Sequence, residues 1–271
     1  MIKVDGFERA GIENDPFSVM VLLGRPGKGK SHFSLTAPGP IAVQNIDIGL
    51  KDVVSKFAGE KEIMVKRYAI AINLKSISQT ISRKQAESET RSPLSIDVDS
   101  VIKEWEDFKR DYVNLLKHPD IKTIVWDTGT EVWQLIRAAR FGKLDMVENH
   151  LYGPVNMEMN YLVKLAFEYR KNFIILHKMK DEYKEQITTS GKKISYATGN
   201  DIMDGFKNMY HLAEVCGEMF YSQEDKEFSI KIVRCRPNPD LIGEVYSGDM
   251  CNFPTIAAMA YPNVDPDVWE G

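Results

Sequence analysis

The sequence predicts an α/β fold in which helices flank a mostly parallel sheet and an antiparallel hairpin is appended. Short apolar runs rich in β-branched residues alternate with amphipathic segments, as in βαβ units. A glycine-rich turn joins the first run to a segment with helical spacing. The 271 residues are enough to bury a sizeable core, so we expect one principal domain.

Composition excludes several classes of protein. The formal net charge of −4 argues against a protein that coats nucleic acid with its whole surface, so any nucleic-acid site must be local. The three cysteines share no C-x-x-C spacing, which predicts neither a zinc site nor a disulfide framework. No apolar run approaches the roughly 18 residues of a membrane-spanning helix. We therefore expect a cytoplasmic protein without a membrane partner.

The elements follow one another in βαβ order. Residues 17–23, 41–45, 121–126 and 173–176 are predicted to be strands of the parallel sheet. A helix is expected from near Ser100, an acceptable N-cap that precedes apolar residues at helical spacing. A second helix is expected from Pro154, because proline favours the first helical position. After Gly217, alternating residues on both sides of a turn at 224–226 predict the hairpin.

The predicted organisation is one core with two terminal segments. The core covers residues 15–250 and carries a polar insertion near 75–95, where Ser, Thr, Gln, Lys, Arg and Glu crowd out apolar residues. Residues 1–14 are an N-terminal arm and a candidate oligomerisation segment. Residues 251–271 are an acidic tail, in which we expect Trp269 to be exposed.

The most specific motif is G-x-x-x-x-G-K-S at the end of the first predicted strand. Its glycines let the backbone N–H groups converge on phosphate oxygens at the start of a helix. The motif predicts that Lys30 reaches the β- and γ-phosphates and that Ser31 binds Mg²⁺. An ordinary glycine-rich turn is the alternative. The candidate nucleotide-binding residues are Gly24, Arg25, Pro26, Gly27, Lys28, Gly29, Lys30, Ser31 and His32.

Polar residues at the ends of the other strands are candidates for metal binding and catalysis. Asp127 is expected to hold Mg²⁺ through water, or else to cap the next helix. Thr128 follows it instead of Glu, so the group that activates water must lie elsewhere. Asp47 at the carboxyl edge of the sheet is preferred, and Glu131 near a helix N-terminus is second. His177 is either a γ-phosphate sensor or a structural histidine.

The order of these elements resembles the RecA family of recombinase cores over roughly residues 15–245. Segment 41–50 resembles the family's strand with its catalytic acid, which maps to Asp47, although the family normally has Glu there. Segment 171–180 resembles the strand that ends in a γ-phosphate sensor, with His177 where Gln or Asn is usual. The chain looks most like the minimal RecA-like ATPases of bacteriophages, associated with single-strand annealing and recombination. The resemblance implies a RecA-like P-loop fold, ATP and Mg²⁺ as cofactors, and the host cytoplasm as the compartment.

The resemblance also implies two DNA-binding loops, at about 140–153 and about 178–200. Tyr183 and Tyr196 are available to stack on bases, while lysines contact the backbone of single-stranded DNA. A solvated loop is the alternative. The candidate DNA-binding residues are Arg140, Lys143, Lys180, Lys184, Lys192 and Lys193.

Two further features imply assembly. Arg234 and Arg236 share one face of a predicted strand, and that strand resembles the one whose basic residues reach the neighbouring subunit's γ-phosphate in the RecA family. A solvated edge strand is the alternative. Phe7 and Ala10 resemble the F-x-x-A polymerisation motif of archaeal and eukaryotic recombinases. Together they imply a homo-oligomeric ring or filament with ATP sites at subunit interfaces, and a single-strand-binding protein is a further candidate partner.

The leading functional hypothesis is an oligomeric, Mg·ATP-dependent ATPase that binds single-stranded DNA and promotes annealing or strand exchange. A helicase-like or helicase-loading P-loop ATPase is the first alternative. A nucleotide-binding regulatory module with little turnover is the second, because Asp47 is shorter than the usual Glu.

Overall fold

A computed structural model describes residues 16–70, 96–142, 147–187 and 193–270. The predictions for the N-terminal arm with Phe7 and Ala10, the polar insertion near 75–95, Lys143 and Lys192 lie outside these ranges. The predicted α/β class is confirmed, since a mostly parallel sheet lies between two helical layers.

Within the described ranges, nine strands form the sheet. They are β1 (Val19–Gly24), β2 (Ile41–Asn45), β3 (Ile63–Arg67), β4 (Thr123–Asp127), β5 (Asn172–Ile187), β6 (Lys193–Met203), β7 (Val215–Ser222), β8 (Glu227–Cys235) and β9 (Val245–Ser247). Their order is β3-β2-β4-β5-β1-β7-β8-β9, with β6 paired to β5. The strands from β3 to β7 in this order run parallel, whereas β6, β8 and β9 pair antiparallel with their neighbours.

Seven α-helices are described. They are α1 (Lys30–Leu35), α2 (Lys51–Val54), α3 (Val98–Lys117), α4 (Gly129–Phe141), α5 (Tyr152–Glu168), α6 (Met209–Leu212) and α7 (Phe253–Ala260). The helix expected near Ser100 begins at Val98, and its N-cap is Asp97, whose carboxylate accepts from the Ser100 N–H. The helix expected from Pro154 begins two residues earlier, at Tyr152. In the part of the chain that the structure describes, no helix is both long and apolar enough to cross a membrane.

Two hydrophobic cores cover the two faces of the sheet. One lies under α3, α4 and α5 and contains Trp105, Trp126 and Phe173. The other lies under α1 and α7 and contains Phe33 and Phe253. The central strands β1 and β4 are buried over their whole length, as expected for parallel strands covered on both faces.

The C-terminal residues complete the second core. Trp269 is completely buried and stacks on Tyr261, with ring centroids 5.3 Å apart. The expectation of an exposed Trp269 is therefore wrong. Acidic residues around Trp269 predicted a solvated segment, but α7 is apolar and carries the end of the chain back onto the sheet.

The segment expected to be the second DNA loop is a β-ribbon instead. Strand β5 continues past the sheet edge to Ile187 and pairs with β6, with one register shift between Asp181 and Tyr183. We call residues 179–187 and 193–203 the β5–β6 ribbon. Its charged residues suggested a loop, but Ile194 and Tyr196 recur at the two-residue spacing of a strand and pair with Gln186 and Lys184 on β5.

Candidate nucleotide-binding site

The G-x-x-x-x-G-K-S motif connects β1 to α1, as the sequence predicts. Gly27 and Gly29 have φ angles of 74° and 86°, a region that favours glycine. The Lys30 ammonium lies inside this loop and donates to the carbonyl oxygens of Gly24 and Arg25 at 2.8 and 3.0 Å. Burial lowers the pKa of Lys30 to about 8, against the opposing charges of Asp127 and Asp47. The lysine is thus held where phosphate oxygens would replace the two carbonyl groups.

Ser31 and Asp127 meet in the manner expected of a magnesium site. The Ser31 hydroxyl donates to Oδ2 of Asp127 at 2.9 Å, although 96 residues separate them in sequence. Asp127 does not cap the following helix, because Thr128 does so by accepting from the Glu131 N–H. Burial, followed by the charge of Asp47, raises the pKa of Asp127, while Ser31 opposes the rise. A hydroxyl and a carboxylate are hard oxygen ligands, so these residues fit Mg²⁺.

Both candidate acids for water activation contact the same lysine. The Lys178 ammonium lies 3.1 Å from Oδ2 of Asp47 and 2.8 Å from Oε1 of Glu131. The backbone N–H of Asp47 also donates to the carbonyl oxygen of Asp127 at 3.2 Å. Partial burial raises the pKa of Asp47, but hydrogen bonds from the Ile48 N–H and Lys178 outweigh it and hold the pKa below its usual range. The structure brings Asp47 and Glu131 together and leaves both within reach of the site.

His177 lies directly beneath the start of α4. It is completely buried, and burial lowers its pKa to about 4, so the ring is neutral at pH 7. Its Nδ1 lies 3.1 Å from the carbonyl oxygen of Asp204, which only an Nδ1–H can satisfy. A side-chain carbon at Gly129 would lie 2.8 Å from His177 Nε2, so glycine is required there. In this geometry His177 positions the α4 N-terminus, and its role as a γ-phosphate sensor stays a prediction.

Arg25 joins the phosphate loop to the β5–β6 ribbon. Its guanidinium forms ion pairs with Asp181 and Asp201, which face each other across the ribbon. These hydrogen bonds raise the pKa of Arg25 still further above its ordinary value. Arg25 was expected to contact nucleotide, whereas in this structure its side chain is turned towards the ribbon. The remaining loop residues, from Pro26 to Gly29, and His32 at the surface of α1 lie around Lys30 as the motif requires.

The candidate DNA-binding cations within the described ranges all have acidic partners in the chain. Arg140 binds Glu158 through two nitrogens, at 2.6 and 2.9 Å. On the ribbon, Lys180 pairs with Asp204, Lys184 with Glu182 and Lys193 with Glu185, at 2.6, 3.9 and 3.3 Å respectively. Their positive charge is therefore largely compensated locally, which the positions of these cations in the sequence do not show.

Arg234 and Arg236 lie far from the phosphate loop of their own chain. The residue between them, Cys235, pairs with Val215, which in turn pairs with Met20 near the start of β1. The loop follows the other end of β1. Both arginines donate to backbone carbonyl groups of α6. Contact with a nucleotide would therefore require a neighbouring subunit, and the predicted trans role stays a prediction.

Sequence reasoning missed Lys178 as a member of the site. The signal was its position: it follows His177 at the carboxyl end of β5, and successive strand residues face opposite sides of a sheet. If His177 faces α4, the next side chain must face the layer of the phosphate loop. By sequence position alone, Lys178 falls at the start of the second predicted DNA loop.

Comparison with protein families supports the P-loop assignment. The family model described as an AAA domain matches residues 17–242, which is more than half of the chain. No curated protein matches the sequence. The matched range contains the phosphate loop, the Ser31–Asp127 pair and both acids that contact Lys178. The chain therefore belongs to the AAA domain family and has the α/β fold of a P-loop ATPase.

Proposed function

We propose that the protein is an oligomeric, Mg·ATP-dependent ATPase that binds single-stranded DNA and promotes annealing or strand exchange. Nucleotide binding is supported by Lys30 inside the phosphate loop and by the Ser31–Asp127 pair. When bound, Mg²⁺ supplies charge neutralisation for the phosphate oxygens. Asp47 or Glu131 accepts the proton of the attacking water, since both lie at the same edge of the sheet.

The observation that carries the DNA part of this proposal is the continuity of β5. The strand passes His177 and Lys178 beside the phosphate loop and then forms one side of the exposed ribbon. Tyr183 and Tyr196 on the ribbon are 63% and 46% exposed. Aromatic side chains at this exposure are suited to stacking on unpaired bases. A strand that touches both sites offers a direct route by which DNA affects hydrolysis.

The mode of DNA binding follows from the charges. Because the described lysines of the ribbon are already ion-paired, stacking contributes more than phosphate contacts. We therefore expect only a shallow dependence of DNA affinity on salt concentration, since few counterions are released. In this proposal, Arg234 and Arg236 act on the ATP site of a neighbouring subunit. Such contact requires a homo-oligomer, which is therefore also part of the proposal.

The experiment compares ATP hydrolysis with and without single-stranded DNA in the unchanged protein and in a Tyr183→Ala, Tyr196→Ala variant. Tyr161→Ala is the matched control, because Tyr161 is 58% exposed on α5, away from the ribbon. Stimulation by DNA should disappear only in the ribbon variant, at unchanged basal turnover. Annealing and unwinding of labelled oligonucleotides then separate recombination from a helicase-like activity. Equal stimulation in all three proteins would remove the ribbon from the DNA site.

One observation favours a second candidate, a nucleotide-binding regulatory module with little turnover. Lys178 neutralises both acids that are available to activate water. The Ile48 N–H and Lys178 hold the pKa of Asp47 below its usual range, which makes this carboxylate a weaker base. Tight binding of Mg·ATP without measurable turnover, with or without DNA, would support this candidate over the first.

A further inference from the structure

An aromatic pair forms one wall of the phosphate loop. A side-chain carbon at Gly29 would lie 3.0 Å from Cδ1 of Phe228 and 3.5 Å from Cε of Met219. Phe228 therefore lies against the loop at the residue that precedes Lys30. Tyr221, its partner across the β7–β8 hairpin, contacts the Phe228 ring edge to face, with centroids 5.1 Å apart.

Packing against the loop buries only part of the surface of this aromatic pair. Phe228 remains 44% exposed despite its contact with Gly29, and Tyr221 is partly exposed. Met219 and Ile230, two residues along each strand, belong to the core under α1, so the aromatic pair shares their face of the sheet. An apolar aromatic surface thus continues the wall of the loop on the side that carries α1.

The direction of a bound nucleotide is set by the polar residues. Strand β1 lies between β5 and β7. Asp127, Asp47, Glu131 and Lys178 all lie on the β5 side, where Mg²⁺ and the γ-phosphate belong. The α-phosphate and the nucleoside must then leave the loop on the other side, towards β7 and β8. That is the side where Phe228 contacts Gly29.

We infer that Phe228, supported by Tyr221, is the stacking platform for the base of the bound nucleotide. The inference rests on the proposed nucleotide site and assigns the base-contacting surface within it. Stacking on an aromatic ring tolerates any base but favours the larger π-face of a purine. The site is therefore expected to prefer purine over pyrimidine nucleotides and to discriminate little between ATP and GTP.

The test separates base stacking from support of the loop by using a ligand without a base. Binding of Mg·ATP, Mg·CTP and Mg·tripolyphosphate is measured by calorimetry for the unchanged protein, Phe228→Ala, Phe228→Leu and Phe228→Trp. Leu keeps apolar bulk against Gly29 but has no π-face, and it also serves if the alanine variant fails to fold. Phe228→Leu should weaken ATP binding about 10-fold and leave tripolyphosphate binding unchanged, whereas Phe228→Trp should retain ATP affinity.

Two results would overturn the inference. Equal losses for ATP and tripolyphosphate in Phe228→Leu would show that the ring only supports the loop. Unchanged ATP affinity in Phe228→Leu would place the base elsewhere. The proposed function fails in a different way: if the unchanged protein binds neither ligand, the phosphate loop itself is not a nucleotide site.

Discussion

Asp127→Asn should change stability and magnesium-dependent binding in opposite directions. Asp127 is only 4% exposed, and its carboxylate accepts a hydrogen bond from the neutral hydroxyl of Ser31. Replacing the charge by an amide weakens that hydrogen bond by about 1 kcal/mol, the difference between charged and neutral acceptors. Burial of an ionised carboxylate costs several kcal/mol, part of which is recovered. A net gain of about 1 kcal/mol corresponds to a rise of about 2–4 °C in the unfolding midpoint.

The pH dependence of stability provides a second, independent test of this prediction. Burial raises the pKa of Asp127 in the folded protein. Between the ordinary value of 3.8 and the raised value, the folded state therefore holds more protons than the unfolded state. Stability from this group falls as pH rises through that window. The variant lacks the titration, so its advantage over the unchanged protein should be full at neutral pH and vanish below about pH 4.

The assay is thermal unfolding of both proteins across pH, with and without Mg·ATP. Asp127→Asn should lose most of the stabilisation by Mg·ATP while gaining stability as the free protein. Ser31→Ala is the matched control, because it removes the same hydrogen bond but keeps the buried charge. It should destabilise the free protein. A destabilised Asp127→Asn variant that keeps its response to Mg·ATP would refute the reasoning and make Asp127 a structural partner of Ser31.

Three further predictions concern other contacts. Arg25→Ala should increase amide exchange in the β5–β6 ribbon and reduce the stimulation of ATP hydrolysis by DNA, because the facing Asp181 and Asp201 lose their shared cation. Unchanged amide exchange would show that Arg25 does not hold the ribbon. Lys178→Met should raise the pKa of Asp47, so the acidic limb of the pH–rate profile should move to higher pH. An acidic limb at the same pH in both proteins would exclude Asp47 as the base. Trp269→Ala should lower the free energy of unfolding, measured in urea, by about 3–5 kcal/mol, and Trp269→Phe should lower it less. A loss below about 1 kcal/mol for Trp269→Ala would show that the C-terminal segment is not part of the core.

The central strands were predictable because local and global signals agree. Apolar runs covering β1, β2 and β4 are long enough to be buried on both faces, and the phosphate-loop motif gives their direction. Strand β3 was missed because its residues 64–67 are exposed and carry two basic side chains. The ribbon was missed because a count of charges along the sequence does not detect contacts between strands, such as the ion pair of Lys193 on β6 with Glu185 on β5.

The candidate site was predictable only where spacing defines it. Lys30 and Ser31 follow from the motif, and Asp127 follows from the strand that it ends. The shared contact of Lys178 with Asp47 and Glu131 spans 131 and 47 residues, and it depends on strand order rather than on any local pattern. The charge of a side chain says nothing about which distant carboxylates will neutralise it, so such contacts require the fold.

Strand β5 connects the central sheet to the ribbon as one continuous strand. Its 16 residues stay hydrogen-bonded from the middle of the sheet to the outer part of the ribbon, with a single bulge on the way. Tyr183 and the residues beside the phosphate loop therefore belong to one strand, and the register shift between Asp181 and Tyr183 lies between them. In the proposed function, a pull on DNA bound at the ribbon would act on the strand that carries His177 and Lys178 beside the phosphate loop.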